Sequence, residues 1–136
     1  MSEADVAHVR RAQETWIRNE RDAAMELWAK DATMNAPGEW PEVASSEGIE
    51  QIRAVFDGFD EALGPEWPTR MEIQRIEDLG GGQVLMEMGW NISGASSGVT
   101  LFQETAGIYS VTDGKISHAD FFISREEARR AAGLEE

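Results

Sequence analysis

The chain has 136 residues, 41% of them hydrophobic, and its 26 acidic and 12 basic side chains leave a net charge of −14. A chain of this size is expected to form one domain, residues 1–136, with a real core. Its isoelectric point near 4.4 opposes polyanions and anionic headgroups, so nucleic acid and membrane surfaces are excluded as partners. The absence of cysteine removes disulfides, thiol nucleophiles and thiolate metal sites, and the only histidines, His8 and His118, are far apart. No metal and no cofactor are therefore expected. The segment Met1 to Arg11 is charged rather than apolar, and no run approaches the roughly 18 apolar residues of a membrane span, so a cytoplasmic location is expected.

Along the chain, Val6, Val9, Ala12, Trp16 and Ile17 recur on one face of a helix, and Ala24, Leu27 and Trp28 repeat the pattern in a second, shorter one. Asn19 and Glu20 separate the two. From Thr33 to Trp40 the pattern changes, and Pro37, Gly38 and Pro41 predict a short strand running into a loop. Ile49, Ile52, Phe56, Phe59 and Leu63 then form a long amphipathic stripe, with Ser46 available as a cap and Gly64-Pro65 as its end.

From Thr69 the period falls to two. Gly80-Gly81-Gly82, Ser93 to Gly98 and Asp113-Gly114 divide the remainder into a four-stranded antiparallel meander. In its second strand Val84, Met86, Met88, Trp90 and Ile92 share one apolar face, which helices must cover. Ser124 to Glu127 reads as a capping box for a short last helix that stops at Gly133. The order of elements predicts an α+β fold with helices packed on one face of an antiparallel sheet.

Several local features resemble the nuclear-transport-factor-2-like superfamily, and specifically its SnoaL-like branch. They are Lys30-Asp31-Ala32-Thr33, Gly48-Ile49-Glu50-Gln51-Ile52-Arg53, Ser97-Gly98-Val99, Asp113-Gly114-Lys115-Ile116, and the ending from Ser124-Arg125-Glu126-Glu127-Ala128 to Ala131-Ala132-Gly133-Leu134. The resemblance implies a cone-shaped, strongly curved antiparallel sheet wrapped on the N-terminal helices. It also implies a pocket at the wide end and a homodimer formed through the outer face of the sheet. Its members include cyclases, isomerases, epoxide hydrolases, dehydratases and non-catalytic binders, so the fold alone does not choose among them.

Ketosteroid isomerases of this superfamily carry a basic aspartate before a proline at the end of the first strand, where this chain has Ala36 before Pro37. Their pocket-face polar residue on the strand before the Asp-Gly hairpin corresponds approximately to Gly107, so that chemistry is disfavoured. Cyclases and limonene-type epoxide hydrolases place an acid seven residues after the hairpin glycine, which is Phe121 here.

His118 and Asp120 lie two apart on the last strand and share a face. If that face lines the pocket, the pair can act as metal-free acid and base of a cyclase, hydrolase or dehydratase. Strand parity sends them the other way, together with Ile116 and Phe122, and leaves Ser117, Ala119, Phe121 and Ile123 inside; a bulge would reverse this. On the preceding strand Gln103, Thr105, Gly107 and Tyr109 share the face that matches the family's pocket. Tyr109, the only tyrosine, is a candidate catalytic donor or a core residue. Trp16, Trp28, Met34, Met86, Met88, Trp90 and Phe121 suggest a greasy, adaptable cavity, with Gln103 and Thr105 as orienting groups. Trp40 is a lid or a plug at the mouth, and Trp67 anchors its own loop. The expected partner is a small hydrophobic or aromatic molecule, handled by cofactor-free acid–base chemistry or, alternatively, bound without chemistry or replaced by plain dimerisation.

Overall fold

The computed structural model describes residues 2–36, 45–93 and 100–134, with positions 2, 62, 91–93 and 100–103 described by backbone alone. Helix α1 spans Ser2–Ile17 and α2 spans Arg21–Met25. Asn19, in the left-handed region at φ 64°, makes the break between them. The second helix is shorter than its apolar pattern suggests. It stops at Met25, and Trp28 opens strand β1, Trp28–Asn35, because β1 is claimed by pairing with the last strand of the sheet. That partner is distant in sequence and leaves no local mark.

A three-residue strand β2, Ser45–Glu47, pairs antiparallel with β1. Ser46 therefore lies in a strand rather than capping a helix. The cap position belongs to Gly48, whose φ of 92° is a conformation that L side chains rarely adopt. The long amphipathic stripe folds as two helices, α3 at Ile49–Asp57 and α4 at Phe59–Leu63, parted at Gly58. A 3-10 turn at Trp67–Arg70 leads into the meander.

The four meander strands are β3 Met71–Gly80, β4 Gln83–Ser93, β5 Thr100–Thr112 and β6 Lys115–Phe122. Asp113 and Gly114 both have positive φ, as a two-residue hairpin turn demands. The sheet order is β2-β1-β6-β5-β4-β3, with β1 running parallel to β6 and the remaining pairs antiparallel. The result is a curved, unclosed sheet in an α+β fold, with α1 to α4 inside its curve. The turn from Ser93 to Gly98 and the loop at Pro37 and Pro41 fall outside the fully described residues.

Two cores form, one on each face. The inner one joins Val9, Ala12 and Trp16 of α1 to Ile52, Val55 and Phe56 of α3 and to Val84, Met86, Met88 and Trp90 of β4. The outer one is smaller, where Ala128 of α5 (Arg125–Ala131) packs on Leu85, Ala106 and Ile108. Ser124 caps α5 by accepting the amide of Glu127 at 3.1 Å. Arg125 and Arg129 then reach Glu87, a buried carboxylate on the outer face of β4, at 3.5 and 3.3 Å. Burying that charge is tolerable because two guanidiniums share it.

Strand β6 carries a bulge. Val111 pairs with Ile116 but Ser110 pairs with His118, so Ser117 is the extra residue. Ile116 is fully buried in the inner core, contrary to the parity expectation that grouped it with His118. Beyond the bulge the parity holds, and Ala119 and Phe121 face inward.

Candidate functional site

The inner faces of α1, α3, β4, β5 and β6 enclose a cavity of about 50 Å³. That is several times the roughly 10–15 Å³ that one water requires and far below the roughly 300–1,000 Å³ of common ligand pockets. Side chains fill most of the cone. Their rings form an unbroken series: Trp28 to Tyr109 at 6.1 Å between centroids, Tyr109 to Phe121 at 5.6 Å, Phe121 to Phe56 at 6.0 Å and Phe56 to Trp16 at 5.2 Å. Trp67 continues it, 5.7 Å from Trp16 and 5.6 Å from Trp90, with Phe59 beside it at 5.3 Å. Most of these pairs meet edge to face or tilted, the arrangement favoured by the ring quadrupole. Met25, Met71, Met86 and Met88 occupy the gaps.

Behind this wall lies a charged clamp. The Arg21 guanidinium sits 5.4 Å from the Trp16 ring centre and 6.0 Å from that of Trp67. It is gripped by Asp57 and Asp60, both at 2.9 Å, and by the Pro65 carbonyl at 2.6 Å. The hydrogen bond from Arg21 holds the Asp60 carboxyl below its ordinary range. These contacts fix α2 against α4 and hold the tryptophans from outside the cavity.

Of the residues singled out in the sequence, Trp16, Trp28, Met86, Met88, Trp90, Thr105, Tyr109 and Phe121 all line the cavity. Met34 is fully buried in the same core but is not on the cavity wall. Trp40 and the Gln103 side chain lie outside the described residues. His118 and Asp120 are bonded to each other, Nε2 to Oδ1 at 3.0 Å, but on the outer face of the sheet and away from the cavity. There His118 Nδ1 meets the Thr33 hydroxyl, and Asn35 donates to Asp120 at 2.7 Å. Both side chains are about a third exposed.

Gly107 explains why no polar group stands at the position where the resemblance would put one. A Cβ there would lie 2.9 Å from Tyr109 Cε1 and 3.0 Å from Phe121, so the two rings already occupy that space. Tyr109 is buried, and burial pushes its hydroxyl well above the usual phenol range. Sequence reasoning missed Val9, Ala12, Gln13, Ala24, Met25, Phe56, Phe59, Trp67 and Met71 as wall residues. The apolar stripe through Phe56 and Phe59 carried a signal. Gln13 did not, because its one polar contact among the described residues, to Met71 Sδ at 3.6 Å, spans 58 residues.

Residues 9–119 match the SnoaL-like domain family, and the chain belongs to it. No curated protein matches in sequence. Among solved structures it is similar to Bal32a from a soil-derived mobile gene cassette, with TM-score 0.75 and 16% identity over 88% of each chain. It is equally similar to an NTF2-like protein of unknown function from Burkholderia pseudomallei K96243, with TM-score 0.75 and 12% identity over 96% of this chain and 97% of that one. TerC, co-crystallised with polyporic acid, aligns with TM-score 0.73 and 11% identity over 96% and 98%. At such identities these likenesses establish the shared fold.

Proposed function

We propose that this chain is a binding protein for a small, flat, apolar organic molecule, held among the rings of the inner cavity without chemistry upon it. The observation that carries this reading is the composition of the wall. Aromatic and methionine side chains dominate it, and the polar residues among its described members are Gln13, Thr105 and Tyr109. Indole and phenyl faces stack on planar ligands, and methionine adapts to irregular shapes.

Acid–base catalysis requires an ionisable group within reach of the substrate. The described wall offers only Tyr109, and burial keeps its hydroxyl protonated. The His118–Asp120 pair is on the opposite face. The cavity is small, so occupancy requires Met71, Met86 and Met88 to swing aside, a motion their unbranched side chains permit. TerC, which shares the fold, was co-crystallised with polyporic acid.

The test is a titration with α-methylstyrene, followed through the methionine methyl resonances. Saturable shifts at Met86 and Met88 support the reading. Methyls that stay still up to the solubility limit of the hydrocarbon overturn it.

A further inference from the structure

Hydrogen bonding on the wall is incomplete in one particular way. The Trp90 indole is more than nine-tenths buried, and its Nε1–H has no hydrogen-bond partner among the described residues. Thr105, a neighbouring lining residue that is 4% exposed, makes no side-chain hydrogen bond among the described residues, but of the two groups only the indole N–H is a fully buried orphan. Buried donors are nearly always paired, because an orphan forfeits its hydration with no return. Trp67, the other tryptophan at this end of the cavity, follows the rule by donating to Asp60 at 2.9 Å.

The two groups are neighbours on the inner face of the β4–β5 hairpin. Trp90 pairs with Gln103 and Met88 pairs with Thr105, so Trp90 and Thr105 sit on adjacent inward rungs. An indole N–H can only donate, and a threonine hydroxyl can do so too. Together they form a donor-bearing end to a mostly apolar cavity, whose other polar lining residues among those described are Gln13 and Tyr109. None of the described lining residues is a cation, so a carboxylate or phosphate would be buried without a counter-charge.

We infer that Trp90 Nε1 and Thr105 Oγ1 bind a carbonyl oxygen, and that the occupant is a neutral, flat aryl ketone or a molecule of that chemistry. The inference rests on the binding function proposed above and adds the polar group that the ligand carries and the end at which it lies. The ring sits among Phe121, Met86 and Trp16, and the oxygen points along β4 toward Trp90.

Acetophenone and α-methylstyrene have nearly the same shape, with an oxygen in one replacing a methylene in the other. The experiment measures both affinities in the wild-type protein and in Trp90→Phe, which removes the N–H and keeps a ring. The ratio of ketone to hydrocarbon affinity is expected to fall about tenfold in the variant, the worth of one buried hydrogen bond. In the wild type, acetophenone is expected to move the Trp90 indole N–H resonance downfield, while the hydrocarbon leaves it near its free position. That resonance is assigned by through-bond correlation, so this readout does not depend on the variant folding. Equal ratios in the two proteins, or an indole resonance indifferent to the ketone, overturn the inference while hydrocarbon binding stands. Failure of the hydrocarbon to bind at all overturns the binding function and the inference with it.

Discussion

Trp67 and Arg21 hold the same atom: the indole Nε1 of Trp67 and the guanidinium Nη2 of Arg21 both donate to Asp60 Oδ1, each at 2.9 Å. One carboxylate on α4 thereby fixes both an aromatic wall residue and the cation stacked behind it. The position of the rings is set from outside the cavity, by charge.

Replacing Asp60 by Asn removes that charge and leaves Arg21 and Trp67 to share a weaker acceptor. The expected cost is about 1–2 kcal/mol, or a fall in Tm of several degrees. Because the folded-state pKa of Asp60 is depressed, its contribution is complete above the ordinary carboxylate pKa of 3.8 and is lost as pH falls through the folded value. Thermal melts of both proteins at pH 7 and across the range below pH 3.8 check this. The gap between them should close in acid, and a gap that persists there contradicts the assignment.

Gly107→Ala puts a methyl group into space that Tyr109 and Phe121 already fill, with contacts of 2.9 and 3.0 Å. Overpacking of this kind costs about 1–3 kcal/mol. The rings can relieve it only by moving into the cavity, so α-methylstyrene affinity should fall together with stability. An alanine variant that binds the hydrocarbon as well as wild type would show that the cavity lies elsewhere.

Tyr109 is the only tyrosine, so its ionisation is directly visible in ultraviolet absorbance. Its folded-state pKa is raised by burial, so the folded protein retains the phenolic proton above pH 10, where the unfolded chain loses it. Stability should therefore decline as pH rises beyond 10, and tyrosinate absorbance should appear together with loss of the near-ultraviolet circular dichroism. A reversible tyrosinate signal in the intact fold would mean that the hydroxyl reaches solvent.

His118→Gln and Asp120→Asn disturb a partly exposed cluster on the outer face and leave the cavity alone. Each should change stability by less than about 1 kcal/mol and α-methylstyrene affinity by less than about twofold. A large loss of ligand affinity in either variant would connect the outer pair to the binding site.

The meander was legible because its turns carry their own chemistry: glycines at positive φ around residue 81, and Asp113-Gly114 at the last hairpin. The α5 cap was legible for the same reason, since Ser124 and Glu127 sit at the required spacing. What escaped depends on distant partners. Trp28 looked helical from its neighbours, and only pairing with Ile116 makes it strand. The Ser-Ser-Glu of β2 has no apolar pattern at all. Gly58 broke a continuous stripe that both of its flanking helices preserve. In the site, eight wall residues could be named from parity and helix spacing. Trp67 was read as a loop anchor because Asp60, Trp16 and Trp90 meet it only in three dimensions.

The extra residue at Ser117 has a consequence for how this strand can change length. Ile116 and Ala119 both point inward across it, three positions apart rather than two or four. Deleting Ser117 would leave a regular alternation with every other side chain on its present side, so the loss should be nearly silent. Ironing out the bulge at constant length, with the hairpin held, would instead set Ser117 opposite Ser110, His118 opposite Tyr109 and Asp120 opposite Gly107, and so carry His118 and Asp120 through the sheet and into the aromatic interior. A one-residue slip of register is thus the shortest route from this apolar cone to one furnished with an acid and a base.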